Sequence, residues 1–262
     1  MSARLSPAQV AAALRRASTA SPGAASSGQT LPGQRPPRAA QALGAGTTNS
    51  APQRGAKAPA APAAPAGSPA LRSGAGEIRI IGGQWKRTRL PVPHLPGLRP
   101  TPDRVRETLF NWLGQDLSGW RCLDAFSGTG ALGLEAASRG AASVCMVEQD
   151  AALVARLQGL CQRLQASAVQ VRRGDGVAQL RQCAPASLDL VFIDPPFDGD
   201  LFLPALQAAA AVLAPQGLIY LEAPTAWADA ELAPLGLALQ RHLRAGAVHA
   251  HLLRPIAKIH QI

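Results

Sequence analysis

The chain has 262 residues, with 26 Lys and Arg against 16 Asp and Glu, for a formal net charge of +10. Residues 1–76 carry eight of the basic side chains (Arg4, Arg15, Arg16, Arg35, Arg38, Arg54, Lys57 and Arg72) and no acid, so +8 of the charge lies there and only +2 on the other 186 residues. The basic pI is therefore mainly a property of that stretch; four cysteines without a C-x-x-C pair argue against a disulfide scaffold or zinc ribbon, and no apolar run approaches the roughly 20 residues of a membrane span. Buried, reduced thiols at Cys122 and Cys145, no signal peptide and a cytoplasmic location are expected.

Residues 1–76 are rich in Ala, Pro, Gly and Ser. Ser6 to Arg16 suits a short helix, with Ser6 capping, Pro7 first and Arg15-Arg16 at the end. The Ala-Pro repeats of 58–69 cannot bury enough apolar surface to offset the entropy of ordering. The stretch is expected to be a disordered basic tail. Its acid-free, Arg- and Ser-rich composition is also that of a transit peptide, and its charge would add sequence-independent attraction to RNA.

Glu77 to Ile81 and Trp85 to Val92 predict two strands of a hairpin around Gly82-Gly83. A proline-rich loop with Arg99 follows. Thr101 is expected to cap a helix with Pro102 first and Asp103 in its opening turn. Val105, Leu109, Phe110, Trp112 and Leu113 would face the core, with Arg104 and Arg106 off that face. Lys86, Arg87, Arg89, Arg99, Arg104 and Arg106 would then line a phosphate-contacting surface, with Trp85 available to stack on a base. The plainer alternative is a solvated basic face with Trp85 covering an edge of the core.

The organising stretch is 121–133. Cys122 to Ala125 predict a buried strand and Ala131 to Arg139 a helix, joined by Ser127-Gly128-Thr129-Gly130. Glycines let backbone N–H groups approach a ligand at the positive end of the helix. A strand over 143–148, a helix over 151–164 and a strand over 169–171 follow, the spacing of a parallel α/β sheet. Gly128-x-Gly130-x-x-Gly133 with Glu148 beyond it also fits the dinucleotide fingerprint, so a nicotinamide dehydrogenase must be weighed. Asp124 argues against that reading, because a carboxylate suits a sulfonium or amino group better than a pyrophosphate. Asp124, Phe126, Ser127, Gly128 and Gly130 are candidate ligand-binding residues. Glu148 can accept from ribose hydroxyls and Asp175 from an adenine amino group, although Asp175 also reads as a plain turn residue.

Leu188 to Ile193 predict a buried strand that ends in Asp194-Pro195-Pro196-Phe197. Neither proline has an N–H, so the turn is stiff and presents acceptors only. The Asp194 carboxylate and the Pro195 carbonyl can hold both hydrogens of an exocyclic amino group, with Phe197 stacked on the base. A helix over 201–213, a turn at 215–217, a strand over 218–222 and an antiparallel hairpin over 237–253 complete the pattern. His249 and His251 alternate onto one strand face, without a third metal ligand placed nearby in sequence.

Asp194-Pro195-Pro196-Phe197, together with Asp124-x-Phe126-x-Gly128-x-Gly130, resembles the S-adenosylmethionine-dependent amino methyltransferases. The stretches Ile78 to Trp85, Leu98 to Leu113 and Gly128 to Ala136 look more specifically like the bacterial 16S rRNA (guanine-966-N2) methyltransferases. The resemblance covers about residues 77–254 and leaves the tail without a counterpart.

It implies a Rossmann-like class I methyltransferase fold over 77–262, mostly parallel with an antiparallel C-terminal hairpin. A basic hairpin and helix would fill 77–113, and the cofactor-binding and catalytic core 121–262. It further implies Asp194 to Phe197 as the catalytic motif, S-adenosylmethionine held by Asp124, Phe126, Ser127, Gly128 and Gly130 with Glu148 and, more weakly, Asp175, and small-subunit rRNA or the assembling small subunit as partner. Monomer is the default, and neither metal nor membrane is required. Adenine-N6 methylation of DNA or RNA keeps the same pocket, and a non-enzymatic RNA-binding module is a more distant alternative.

Overall fold

The computed structural model describes residues 73–93, 101–197 and 200–256. The expected helix at Ser6–Arg16, almost all of the tail and the loop containing Arg99 lie outside the described residues.

The polypeptide runs through β1 (Ser73–Arg79), β2 (Arg89–Pro93), α1 (Asp103–Leu113), β3 (Arg121–Asp124), α2 (Ala131–Ser138), β4 (Ser143–Glu148), α3 (Ala151–Leu164), β5 (Val169–Arg173), α4 (Gly176–Gln182), β6 (Leu188–Ile193), α5 (Phe202–Val212), β7 (Leu213–Ala223), α6 (Asp229–Leu232), β8 (Leu237–Ala245) and β9 (Val248–Pro255). A seven-stranded sheet has the order β5-β4-β3-β6-β7-β9-β8. Strands β3 to β7 are mutually parallel, and β9 and β8 close the edge antiparallel, as expected. The chain winds outward from β3 through β4 to β5, then returns to the other side of β3 with β6. The carboxyl ends of the parallel strands flank that switch point, where open α/β sheets bind ligands.

Helices cover both faces of the sheet, so its central strands are apolar on both sides. In β6, Leu190 and Phe192 enter one cluster with Phe110, Leu134, Met146 and Leu157. Val191 and Ile193 enter the other with Leu123, Leu180, Leu206 and Leu221. Each fully buried side chain of this kind contributes about 1.5–3 kcal/mol. At α3, the Asp150 side chain caps the helix by accepting from the backbone N–H groups of Ala152 at 2.8 Å and Leu153 at 2.9 Å.

Three local expectations are corrected. The N-terminal hairpin forms, but its strands are β1 and β2, paired Arg79 to Arg89 and Ile78 to Leu90, and residues 82–87 are turn. The backbone from Ile81 to Trp85 is used elsewhere. Ile81 and Gly82 donate to the Glu135 carboxylate at 2.8 and 2.7 Å. Gln84 donates to the Ser138 carbonyl at 2.7 Å and Trp85 to the Ser138 hydroxyl at 3.0 Å. Second, Thr101 is not the cap of α1: Pro102 holds that position, without a side-chain cap. Third, β7 is assigned from Leu213, but its pairing with β6 jumps from Leu188–Leu213 to Leu190–Leu218, so the expected turn at 215–217 is an irregularity within the strand.

Candidate active site

The carboxyl edge of the sheet gathers acids from neighbouring strands. Asp124 ends β3, Glu148 ends β4, Asp194 follows β6 and Glu222 is the next-to-last residue of β7. Between Asp124 and α2 the chain turns through Gly128 and Gly130, whose φ angles of 51° and 81° favour glycine. A Cβ at Gly130 would meet the Leu157 Cδ2 at 2.6 Å, so the turn is also packed without spare room. Ser127 fixes the turn, donating its hydroxyl to the Asp124 carbonyl at 3.1 Å and accepting at its own carbonyl from the Gly130 N–H at 2.7 Å.

Asp124 is 1% exposed, and its Oδ2 accepts from the Gly133 N–H at 3.1 Å. Burial pushes its carboxyl up to about 7, against the hydrogen bonds from Gly133 and Phe126 that favour the charged form. Glu148 accepts from the Gly128 N–H at Oε2 and from the Asp150 N–H at Oε1, both at 2.9 Å. Asp175 proves to be the cap of α4, accepting from Ala178 at 2.7 Å, while its second oxygen accepts from the Gln149 amide at 3.2 Å. The turn-residue reading of Asp175 therefore accounts for what the structure displays.

Across β3 from Glu148, Asp194 leads into Pro195, which is buried, and Pro196 and Phe197, which are exposed. The Phe197 ring is 42% exposed and lies 6.2 Å from the Phe202 ring, centroid to centroid. Burial, then Glu222, then Asp124 raise the Asp194 carboxyl well above the ordinary carboxylate range. Among the described residues no hydrogen bond offsets these effects. Its oxygens are thus available to an incoming donor.

Glu222 was not anticipated. It is 3% exposed and accepts from the Tyr220 hydroxyl at 2.8 Å. Burial raises its carboxyl, opposed by hydrogen bonds from Thr101 and Tyr220 and by the Arg106 charge. The available signal was an acid at the carboxyl end of a predicted strand, the rule already applied to Asp124 and Glu148.

Among the described residues, the expected RNA contacts are not brought together. Arg106 is fully buried. Its guanidinium donates to the Arg79 carbonyl at 2.9 Å, Asp103 at 2.6 Å, the Thr101 carbonyl at 3.3 Å and Glu135 at 3.4 Å. A guanidinium so enclosed cannot reach a phosphate, so Arg106 is a buried structural group and not the RNA contact expected of it. Trp85 packs half-buried against the core, as in the plainer reading.

Lys86 and Arg87 are exposed in the turn over Ser138, at the end of α2 remote from the Asp124 edge. That helix is about 12 Å long from its helical rise, so these two side chains are displaced from the acid cluster. Arg89 is exposed and pairs with Glu77 at 3.1 Å. Arg104 remains exposed near the start of α1, joined by Arg79, which pairs with Asp103 at 3.1 Å. Of the histidines, His251 is buried and its Nε2 accepts from the Trp227 N–H at 3.1 Å; burial lowers its ring to about 4.

Known proteins carry the same framework. The family model described as "Conserved hypothetical protein 95" matches residues 78–254. The Ribosomal RNA small subunit methyltransferase D of Escherichia coli is 46% identical over 152 residues, 57% of this chain and 76% of that protein. The structure of the Escherichia coli methyltransferase yhhF aligns at a TM-score of 0.59 and 41% identity, covering 70% of this chain and all of that one. The Thermus thermophilus 16S rRNA N2 G1207 methyltransferase, solved with AdoMet and guanosine, aligns at a TM-score of 0.55 and 28% identity, covering 70% of this chain and 50% of that one. These matches displace the dehydrogenase reading, and the family match spans the glycine turn, the acid cluster and the Asp194 turn. The chain belongs to the Conserved hypothetical protein 95 family, and it is a Rossmann-like methyltransferase.

Proposed function

We propose that the protein transfers a methyl group from S-adenosylmethionine to the exocyclic N2 of a guanine in small-subunit rRNA. The observation that carries this reading is the Asp194-Pro195-Pro196-Phe197 turn standing beside Asp124 at the carboxyl edge of adjacent strands. The relatives support the substrate: one is a small-subunit rRNA methyltransferase and another is a 16S rRNA guanine-N2 enzyme.

The donor set suits the methyl donor. A buried Asp124 carboxyl, with no basic side chain among the influences on it, is matched to a cationic ligand. Each Glu148 oxygen accepts one backbone N–H and keeps lone pairs for ribose hydroxyls. Ser127, Gly128 and Gly130 would shape the turn around the ligand, with Phe126 beside it; Asp175 is the weakest member because capping α4 already occupies it. S-adenosylmethionine would supply the electrophilic methyl group.

The chain's own residues then work by orientation and by fixed acceptors. Asp194 and the Pro195 carbonyl accept the two N2 hydrogens and aim the nitrogen lone pair. Phe197 stacks on the base, which must be turned out of its own stack to arrive. No metal takes part in this scheme. Arg104, Arg79 and Arg89 are, among the described residues, the basic side chains best placed to meet phosphates around the α1 edge. We take residues from β1 onward as the catalytic domain, acting as a monomer in the cytoplasm, with the preceding basic stretch as an accessory tail.

The test is transfer from labelled S-adenosylmethionine to unmodified small subunits and to free rRNA, followed by nucleoside analysis. N2-methylguanosine is expected. N6-methyladenosine would move the substrate to the adenine reading, and binding of rRNA without any transfer would favour the non-enzymatic module.

A further inference from the structure

Asp194 and Glu222 are neighbours by construction. Strands β6 and β7 pair in parallel through Ile193 and Leu221, so the next residue on each strand is Asp194 and Glu222. Paired strands lie about 4.8 Å apart, which brings two acids together on one desolvated floor. Their hydrogen-bond environments differ. Glu222 receives the Tyr220 hydroxyl at 2.8 Å and a hydroxyl from Thr101, and it faces the buried guanidinium of Arg106. Asp194 receives none of these.

We propose that Glu222 is a positioning residue for methyl transfer: from the neighbouring strand it sets the charge state and orientation of Asp194. This rests on the methyltransferase reading of the Asp194 turn given above. Two adjacent carboxylates, Glu222 buried and Asp194 half-buried, cannot both ionise freely. The charge settles on the acid with donors and a cation, which is Glu222, and the shared proton settles on Asp194. The other charged or titratable groups facing the pair are Asp124 on β3, Tyr220 on β7 and Arg106 on α1, with Glu148 on β4 acting on Asp124. A cationic donor bound beside Asp124 and Asp194 then favours loss of the Asp194 proton to solvent.

In the transfer step the N2 lone pair forms the bond to the methyl carbon, and the carbon–sulfur bonding pair stays on sulfur. One N–H proton passes to the ionised Asp194. The pair thereby returns to its resting state with one proton, ready to lose it in the next cycle.

The experiment is the pH profile of single-turnover transfer, with S-adenosylmethionine and small subunits saturating. Glu222→Gln keeps the side-chain shape and removes the charge, so its acid limb is expected at least one pH unit below that of the wild type. Tyr220→Phe weakens the hold on the Glu222 charge and is expected to move the limb in the same direction by a smaller amount. The Tyr220→Phe profile tests the inference even if Glu222→Gln does not fold. Rates lowered equally at every pH in the folded variants, with the limb unmoved, would reduce Glu222 to a packing role and overturn the proposal. Wild-type protein that binds S-adenosylmethionine but never methylates guanine would defeat the underlying reading instead, so the two failures are distinguishable.

Discussion

Asp124→Asn should make the protein more stable at alkaline pH and less able to bind its methyl donor. Burial lifts the Asp124 carboxyl from 3.8 to about 7. The folded state therefore binds a proton more tightly than the unfolded state, and the stability linked to it is present at low pH. It is lost as pH rises from about 4 to about 7, at about 1.4 kcal/mol per pH unit. The total is about 4 kcal/mol, of which about 3 kcal/mol falls between pH 5 and pH 8. Asparagine resembles the protonated acid in shape and charge and can still accept from the Gly133 N–H, so the variant escapes this loss.

Urea unfolding of both proteins at pH 5 and pH 8 should show a stability gap that opens by about 3 kcal/mol toward pH 8, in favour of the variant. The same group predicts that wild-type affinity for S-adenosylmethionine rises with pH through about 7, because the cationic ligand prefers the ionised acid. Asp124→Asn should bind weakly and without that dependence. Parallel stability curves for the two proteins would refute the argument, because they would mean that Asp124 is not held protonated by its surroundings.

Asp194→Asn should lower the transfer rate by about 10²–10³-fold, the effect of losing one preorganised hydrogen-bonding group, while S-adenosylmethionine still binds, as calorimetry would show. Arg106→Ala should cost about 1–3 kcal/mol in urea unfolding: Glu135 keeps Arg139, but the Arg79 and Thr101 carbonyls lose their guanidinium donor. Arg104→Ala should leave stability unchanged, weaken RNA binding uniformly across sequences, and reduce the slope of log affinity against log salt by about one. Cys122, 1% exposed and with its thiol pushed up to about 12 by burial, should resist alkylation in the folded protein and react on unfolding, as mass spectrometry would read.

The central fold was legible because both of its periodicities are strong. Strand β4 and helix α3 fall at the expected boundaries, and β6 reads as a strand because apolar residues must fill both faces of a covered parallel sheet. The hairpin was misplaced because its register depends on partners far along the chain. Only the folded protein brings Glu135 and Ser138 against the backbone of Ile81 to Trp85. Arg106 was misjudged for a related reason. Helical spacing put it off the apolar face, but a long side chain can be buried by ion pairs that no local pattern reveals. Helix α4 was passed over because it is only seven residues long, although Asp175, its cap, was already singled out for another role. Glu222 could have been found, since its place at a strand's carboxyl end was visible, but its importance comes from lying beside Asp194, which requires the order β6-β7.

That strand order also explains why the acids sit where they are costly. Asp124, Asp194 and Glu222 come from β3, β6 and β7, which are consecutive in the sheet, and among the described residues Arg106 is the one basic group that acts on any of them. Placed on solvated loops, these carboxylates would have ordinary acidity and would be screened by water. Placed on the sheet's edge, they form a rigid, dehydrated floor with excess acceptor capacity and too little positive charge. Such a floor is stabilised by whatever brings a cation and N–H groups to it, and the methyl donor and the target base bring these two things. On this view the sheet stores its unfavourable electrostatics at the one place where the reactants relieve them, and a substitution that eases the free protein, such as Asp124→Asn, should do so at the expense of binding.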